Sequence, residues 1–119
     1  MNTNTKPSVL TGKYAKLRDD LHTALQAGLA AETANPEDGG ASNFDAASLY
    51  LPRWAKNKIY QAAQEAGTIC TTWELCGRRR YVFEPHTHGQ GNARSRNAEA
   101  ITAVLRSMGY DAYNYRQID

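Results

Sequence analysis

TICTTWELCGRRRYVFEP, residues 68–85, is the stretch on which the fold turns. Ile69, Thr71, Trp73 and Leu75 alternate with Cys70, Thr72, Glu74 and Cys76, the period of two that marks a strand. A tight turn at Cys76-Gly77 or Gly77-Arg78 sends the chain back as a second strand, Arg79 to Glu84, and Pro85 ends it. The segment therefore reads as a β-hairpin, and the elements on either side must pack on it.

Upstream, Arg53 to Ala66 carries Trp54, Ile59, Ala62, Ala63 and Ala66 on one side, the spacing of a helix. Pro52 suits its first turn and Gly67 its end. Ala47 to Leu51 reads as a short strand with Leu49 and Leu51 inward. Before it lies a loop, ANPEDGGASN, residues 34–43, in which Pro36 stops the preceding helix. Tyr14, Leu17, Leu21, Leu25 and Leu29 set out an amphipathic N-terminal helix over residues 8–32, capped by Ser8 or Thr11. Residues 1–7 are polar and read as a flexible N-terminus.

Downstream, HTHGQGNARSR, residues 86–96, reads as a glycine-bearing loop. Asn97 then caps a helix whose apolar stripe is Ile101, Val104, Leu105 and Met108, and Gly109 ends it. Tyr110 to Arg116 forms a last strand, with Tyr113 and Tyr115 opposite Ala112. From residue 47 to 116 the order is β-α-β-β-α-β, the ferredoxin-like split pattern. The expected fold is α+β: an antiparallel sheet with helices on one face, preceded by an extra helix. That helix either covers the free sheet face or pairs with a second copy. At 119 residues, 41% of them hydrophobic, the chain fits a single domain over residues 8–119.

The formal net charge is only +2, so a basic patch must come from clustering. Residues 77–97 supply one, with Arg78, Arg79, Arg80, Arg94 and Arg96 together with His86 and His88. Arginine's planar fork suits phosphate, and Tyr81 and Phe83 share a strand face on which a base can stack. The helix expected at Asn97 points its free N–H groups at the glycine loop and so makes an anion site, with Asn92, Arg94 and Arg96 on the approach. Asn43, after Gly39-Gly40, offers acceptors for ribose hydroxyls. The same residues also serve as a solubilising turn, a surface loop and ordinary caps.

Other chemistry finds little support. An H-x-H pair at His86 and His88 can chelate metal, but no third and fourth ligands stand out, and no metal or cofactor is expected. The carboxylates form no acid–base constellation, so the chain does not read as an enzyme. No apolar run approaches a membrane span and the N-terminus has no secretory core, which points to the cytosol and to reduced Cys70 and Cys76.

EDGGASNFD, LPRW, GRRRYVFEP, GQGN and the terminal YNYRQID together resemble small phage and prophage proteins over about residues 36–119. Among these the chain is similar to the anti-Thoeris sponge family, which sequesters cyclic ADP-ribose signals of bacterial immunity without hydrolysing them. The resemblance implies ligand contacts at Arg53, Phe83 and Asn92, and at an arginine near the C-terminus, either Arg106 or Arg116. The leading expectation is thus a non-enzymatic nucleotide-binding protein that holds a cyclic nucleotide signal. Its site residues would be Asn43, Arg53, Arg78, Arg80, Phe83, His86, His88, Asn92, Arg94 and Arg96. A lone small sheet gives a ligand little cover, which favours a homo-oligomer in the host cytosol. The other expectation is a module that binds single-stranded nucleic acid or a host immune protein, in the manner of an anti-CRISPR. The chain lacks the full glycine–aromatic signature of RNA-recognition domains on its third strand.

Overall fold

The computed structural model describes residues 9–33, 45–85 and 92–115. In chain order they form α1 (Gly12–Thr33), β1 (Ala46–Leu49), α2 (Lys56–Ala66), β2 (Cys70–Leu75), β3 (Arg78–Phe83), α3 (Asn92–Ser107) and β4 (Ala112–Tyr115). The strands make one four-stranded sheet of order β2-β3-β1-β4, and every neighbouring pair is antiparallel. β1 and β2, joined through α2, bracket β3. β3 and β4, joined through α3, bracket β1. The class is therefore α+β, with the expected helix–strand order.

The hairpin is local chemistry. Leu75 pairs with Arg78, which leaves Cys76-Gly77 as a two-residue turn. Both turn residues have positive φ, 53° and 76°, the geometry whose twist matches antiparallel strands. Gly77 adopts it without cost; Cys76 does so with some strain.

Register sorts the sheet into two faces. Ala47, Leu49, Tyr81, Phe83 and Ala112 lie on one side and enter the core with α2 and α3. Ser48, Val82, Trp73, Tyr113 and Tyr115 lie on the other, where the start of α3 reaches in through Arg94.

The N-terminal helix packs on the other two helices. It does not cover the free sheet face; α1 lies against α3 and α2, which have little direct contact with each other. The reason is volume. α2 offers mainly Ala62, Ala63 and Ala66 to the core beside Ile59, and the space they leave is filled by Leu17, Leu21 and Leu25 of α1, each at most 1% exposed. Burying each such leucine stabilises the fold by roughly 1.5–3 kcal/mol. The Tyr14 hydroxyl accepts the Ala55 N–H at 2.8 Å and so caps α2, which has no side-chain cap of its own.

Two helix starts differ from the sequence reading. α2 begins at Lys56, not Arg53, because Arg53 sits in a turn at φ 68°, outside helical geometry. α3 begins at Asn92, five residues before the expected cap. Asn97 is an interior residue of α3, fully buried, and its amide donates to Glu32 Oε2 of α1 at 2.8 Å. A polar side chain followed by a helix looks the same in sequence whether it caps the first turn or faces a neighbouring helix.

Gly28 is what lets α1 and α3 approach at Asn97. A Cβ there would overlap the Asn97 amide oxygen and lie 2.9 Å from Ile101 Cγ1. Helix propensity alone favours alanine by about 1 kcal/mol, whereas forcing extra volume into a packed interior costs about 1–3 kcal/mol. Net of that gain, Gly28→Ala is expected to cost up to about 2 kcal/mol and to lower the melting temperature by up to roughly 10 °C. A rise in thermal denaturation would show that the helices are not in this contact.

Candidate functional site

The open sheet face carries the candidate site. Trp73 projects from β2 and Tyr115 from β4, at opposite edges of the sheet. Their rings meet across β3 and β1 with centroids 4.9 Å apart and planes at 48°. They can reach because the positions beneath them are small: Ala46 on β1 and Val82 on β3. Together these four residues line a pocket of about 360 Å³, completed by Thr71, Glu84 and Arg94. Trp73 is 41% exposed, so part of its ring stays open to solvent beside the pocket.

The charged side of the pocket is built. Arg94 Nη2 donates to Glu84 Oε2 at 3.1 Å, and Arg94 Nε donates to the Asp45 carbonyl at 3.1 Å. Ser95 Oγ donates to Asp45 Oδ2 at 2.9 Å. The first turn of α3 is thereby tied to the start of β1 and the end of β3. The Arg94 side chain is 17% exposed and that of Glu84 48%, so the carboxylate is the more available of the two.

Further along the same face, arginines lie against aromatic rings. The Arg80 guanidinium lies 5.8 Å from the Tyr113 ring centre and that of Arg78 5.1 Å from Tyr50. Arg80 is largely buried. Its Nε donates to Ser48 Oγ at 2.9 Å, and its Nη2 donates to the carbonyls of Ser48 at 3.2 Å and Asp111 at 2.9 Å. Ser48 Oγ in turn donates to the Tyr113 carbonyl at 2.9 Å. This arginine clasps β3, β1 and the approach to β4, and those acceptors occupy its fork.

The sequence-derived site residues are thus dispersed. Arg94 lines the pocket. Arg78 and Arg53 lie toward the other end of the sheet, where β1 ends and β3 begins, and both are exposed. Arg96 Nη2 donates to the Glu32 carbonyl at 3.4 Å and serves the C-terminal turn of α1. The helix N-terminus expected at Asn97 as an anion site is not there, because α3 starts earlier. Phe83 is fully buried on the helix side of the sheet, so its ring faces the core. Trp54 packs edge-on against Tyr14 at 5.3 Å, with Lys13 Nζ 4.6 Å from its ring centre. Asn92 is the first residue of α3. Asn43, His86 and His88 lie outside the described residues.

Trp73, Tyr115 and Glu84 were not among the sequence-derived contacts. The alternation of residues 69–76 did place Trp73 opposite Cys70, and Tyr115 opposite Ala112. Assigning Ala112 and Leu49 to the core would have turned both rings to the open face.

Among the described residues, no group of three His, Cys, Asp or Glu side chains is placed to share a metal ion. No described helix is long and apolar enough to cross a membrane. No protein family, curated protein or solved structure matches this chain.

The two cysteines occupy unlike environments. Cys76 is exposed at the hairpin turn, whereas Cys70 is partly buried beside the core. Burial pushes the Cys70 thiol from 9.0 up to about 12, against a smaller opposing pull from Lys56. A raised thiol pKa means that the folded state holds its proton longer than the unfolded one. The associated stability is complete below pH 9.0 and is lost as pH climbs toward about 12. A thiol-reactive chromogenic disulfide at pH 8 should therefore modify one cysteine of the native protein, Cys76, at least about tenfold faster than the other. Equal rates would contradict the placement of Cys70.

Proposed function

We propose that this protein is a non-enzymatic binding protein for an anionic, base-bearing ligand, held on the open face of its sheet, opposite the core. The observation that carries the reading is the Trp73–Tyr115 pair over Ala46 and Val82, walling a pocket of about 360 Å³. Each stacked base is worth about 1–3 kcal/mol on an aromatic platform, and a pocket of this size suits one nucleotide unit. The stacking role expected of Phe83 passes to Trp73. The two charged side chains of the pocket are bonded to each other and serve orientation. The interleaving of β1 and β3 between their crossover partners supports a ferredoxin-like fold, whose sheet commonly offers one face for ligands.

In its narrower form the ligand is a cyclic nucleotide immune signal held intact in the host cytosol, a counter-defence sponge. The resemblance to that family supports this form. Ile69, 68% exposed beside the edge strand β2, gives a homo-oligomer an apolar contact. A second reading, single-stranded nucleic acid as the ligand, is favoured by one observation: the face continues beyond the pocket through Tyr113, 57% exposed, to Arg78 stacked on Tyr50.

Thermal denaturation against mononucleotides, cyclic ADP-ribose isomers, cyclic oligonucleotides and short single-stranded DNA tests both. A ligand at a hundred times its dissociation constant adds about 2.7 kcal/mol of stability. Trp73→Ala is expected to weaken binding by about tenfold or more, and Arg53→Ala, at the other end of the sheet, to leave it unchanged. Oligonucleotide binding would fall steeply with salt, whereas that of a single enclosed nucleotide would respond less. No stabilisation by any of these, or full binding by Trp73→Ala, would overturn the reading.

A further inference from the structure

The pocket joins an aromatic wall to a carboxylate, and that combination discriminates among bases. Glu84 reaches it from the end of β3 with its side chain 48% exposed, and one oxygen, Oε2, already accepts from Arg94 Nη2 at 3.1 Å. A carboxylate has two oxygens and about four lone-pair sites, and it only accepts. Arg94 spends its Nε on the Asp45 carbonyl, which fixes the guanidinium beside the carboxylate.

We propose that this pocket is a guanine-selective base site, an inference that rests on the general nucleotide-binding reading above and not on its cyclic ADP-ribose form, whose base is adenine. Guanine presents two adjacent donors, N1–H and the N2 amino group, spaced to meet both oxygens of one carboxylate. Its O6 acceptor lies next to them, on the side where a guanidinium donates. The other bases fit worse for stated reasons. Adenine sets its N1 lone pair beside its single amino group, and cytosine sets N3 beside its own. Uracil has one N–H flanked by two carbonyl oxygens. Each of these brings an acceptor against the Glu84 carboxylate. Leaving a polar group opposed or unmet in a partly enclosed site is the stronger source of selectivity. Trp73 and Tyr115 stack on any base and so supply affinity without choosing. The choice falls to Glu84, with Arg94 as the residue that positions it.

Isothermal titration with GMP, IMP, AMP, CMP and UMP separates the possibilities. GMP is expected to bind about tenfold or more tighter than AMP, CMP and UMP. IMP, which keeps N1–H and O6 but lacks the N2 amino group, should fall between GMP and AMP. Glu84→Gln, checked for an unchanged melting curve, should bring GMP to within about threefold of AMP. The IMP arm needs no substitution, so it stands even if Glu84→Gln loosens the Arg94 tie. GMP and AMP binding equally to the unaltered protein would overturn guanine selectivity while leaving nucleotide binding in place. Binding of none of the five would overturn both.

Discussion

The approach of α1 to α3 at Gly28 is the constraint from which the rest of the architecture follows. Only a residue without a side chain allows the Asn97 amide to sit against the α1 backbone and reach Glu32. Arg96 donates to the backbone carbonyl of the same Glu32, so the end of α1 is held by polar contacts from two successive residues of α3. With α1 fixed there, Leu17, Leu21 and Leu25 enter the core beside Ile59 and Ile101. A helix free to leave α3 could have turned its leucines onto the other side of the sheet. Because it cannot, that side keeps its tryptophan and tyrosines at the surface.

The sheet divides its arginines between two tasks. Arg80 is buried and bound to three acceptors on Ser48 and Asp111. Burying a guanidinium is tolerable only when its N–H groups are met, and here they are met by groups that join three strands. Arg94 does comparable work at the opposite end, where β1, β3 and α3 converge. Of the basic run, Arg80 therefore ties the strands together while Arg78 and Arg79 stay exposed, and the pocket is distinguished by its aromatic wall and its carboxylate. For the proposed nucleotide, attraction of a phosphate would be secondary to stacking in the part of the site that the described residues form.

Much of this architecture was legible in advance, because period-two and period-3.6 patterns are written in apolar residues. The hairpin followed from the alternation of residues 69–76, and the stripes of α1 and α2 from leucine and alanine spacing. The α3 start was not legible. Asn92 and Asn97 are both plausible caps, and only the neighbouring α1 decides that Asn97 is an interior contact. The face of Phe83 was equally open, since a register shift of one residue reverses every side chain on a strand. The position of α1 depended on volume left unfilled by the alanines of α2, a property of three helices together and not of any one segment. The pocket itself pairs residues from the two edges of the sheet, Trp73 and Tyr115, whose meeting depends on small residues on the strands between.

Amide proton–nitrogen correlation spectra of the isotopically labelled protein, recorded through a titration with GMP, test most directly whether the open sheet face is the binding surface. The account predicts that the largest shifts fall on Thr71, the Trp73 backbone and indole, Val82, Ala46 and Tyr115, with α1 and the Arg53 turn unmoved. Shifts centred on Arg53 and Arg78 at the other end of the sheet, or on α1, would contradict it.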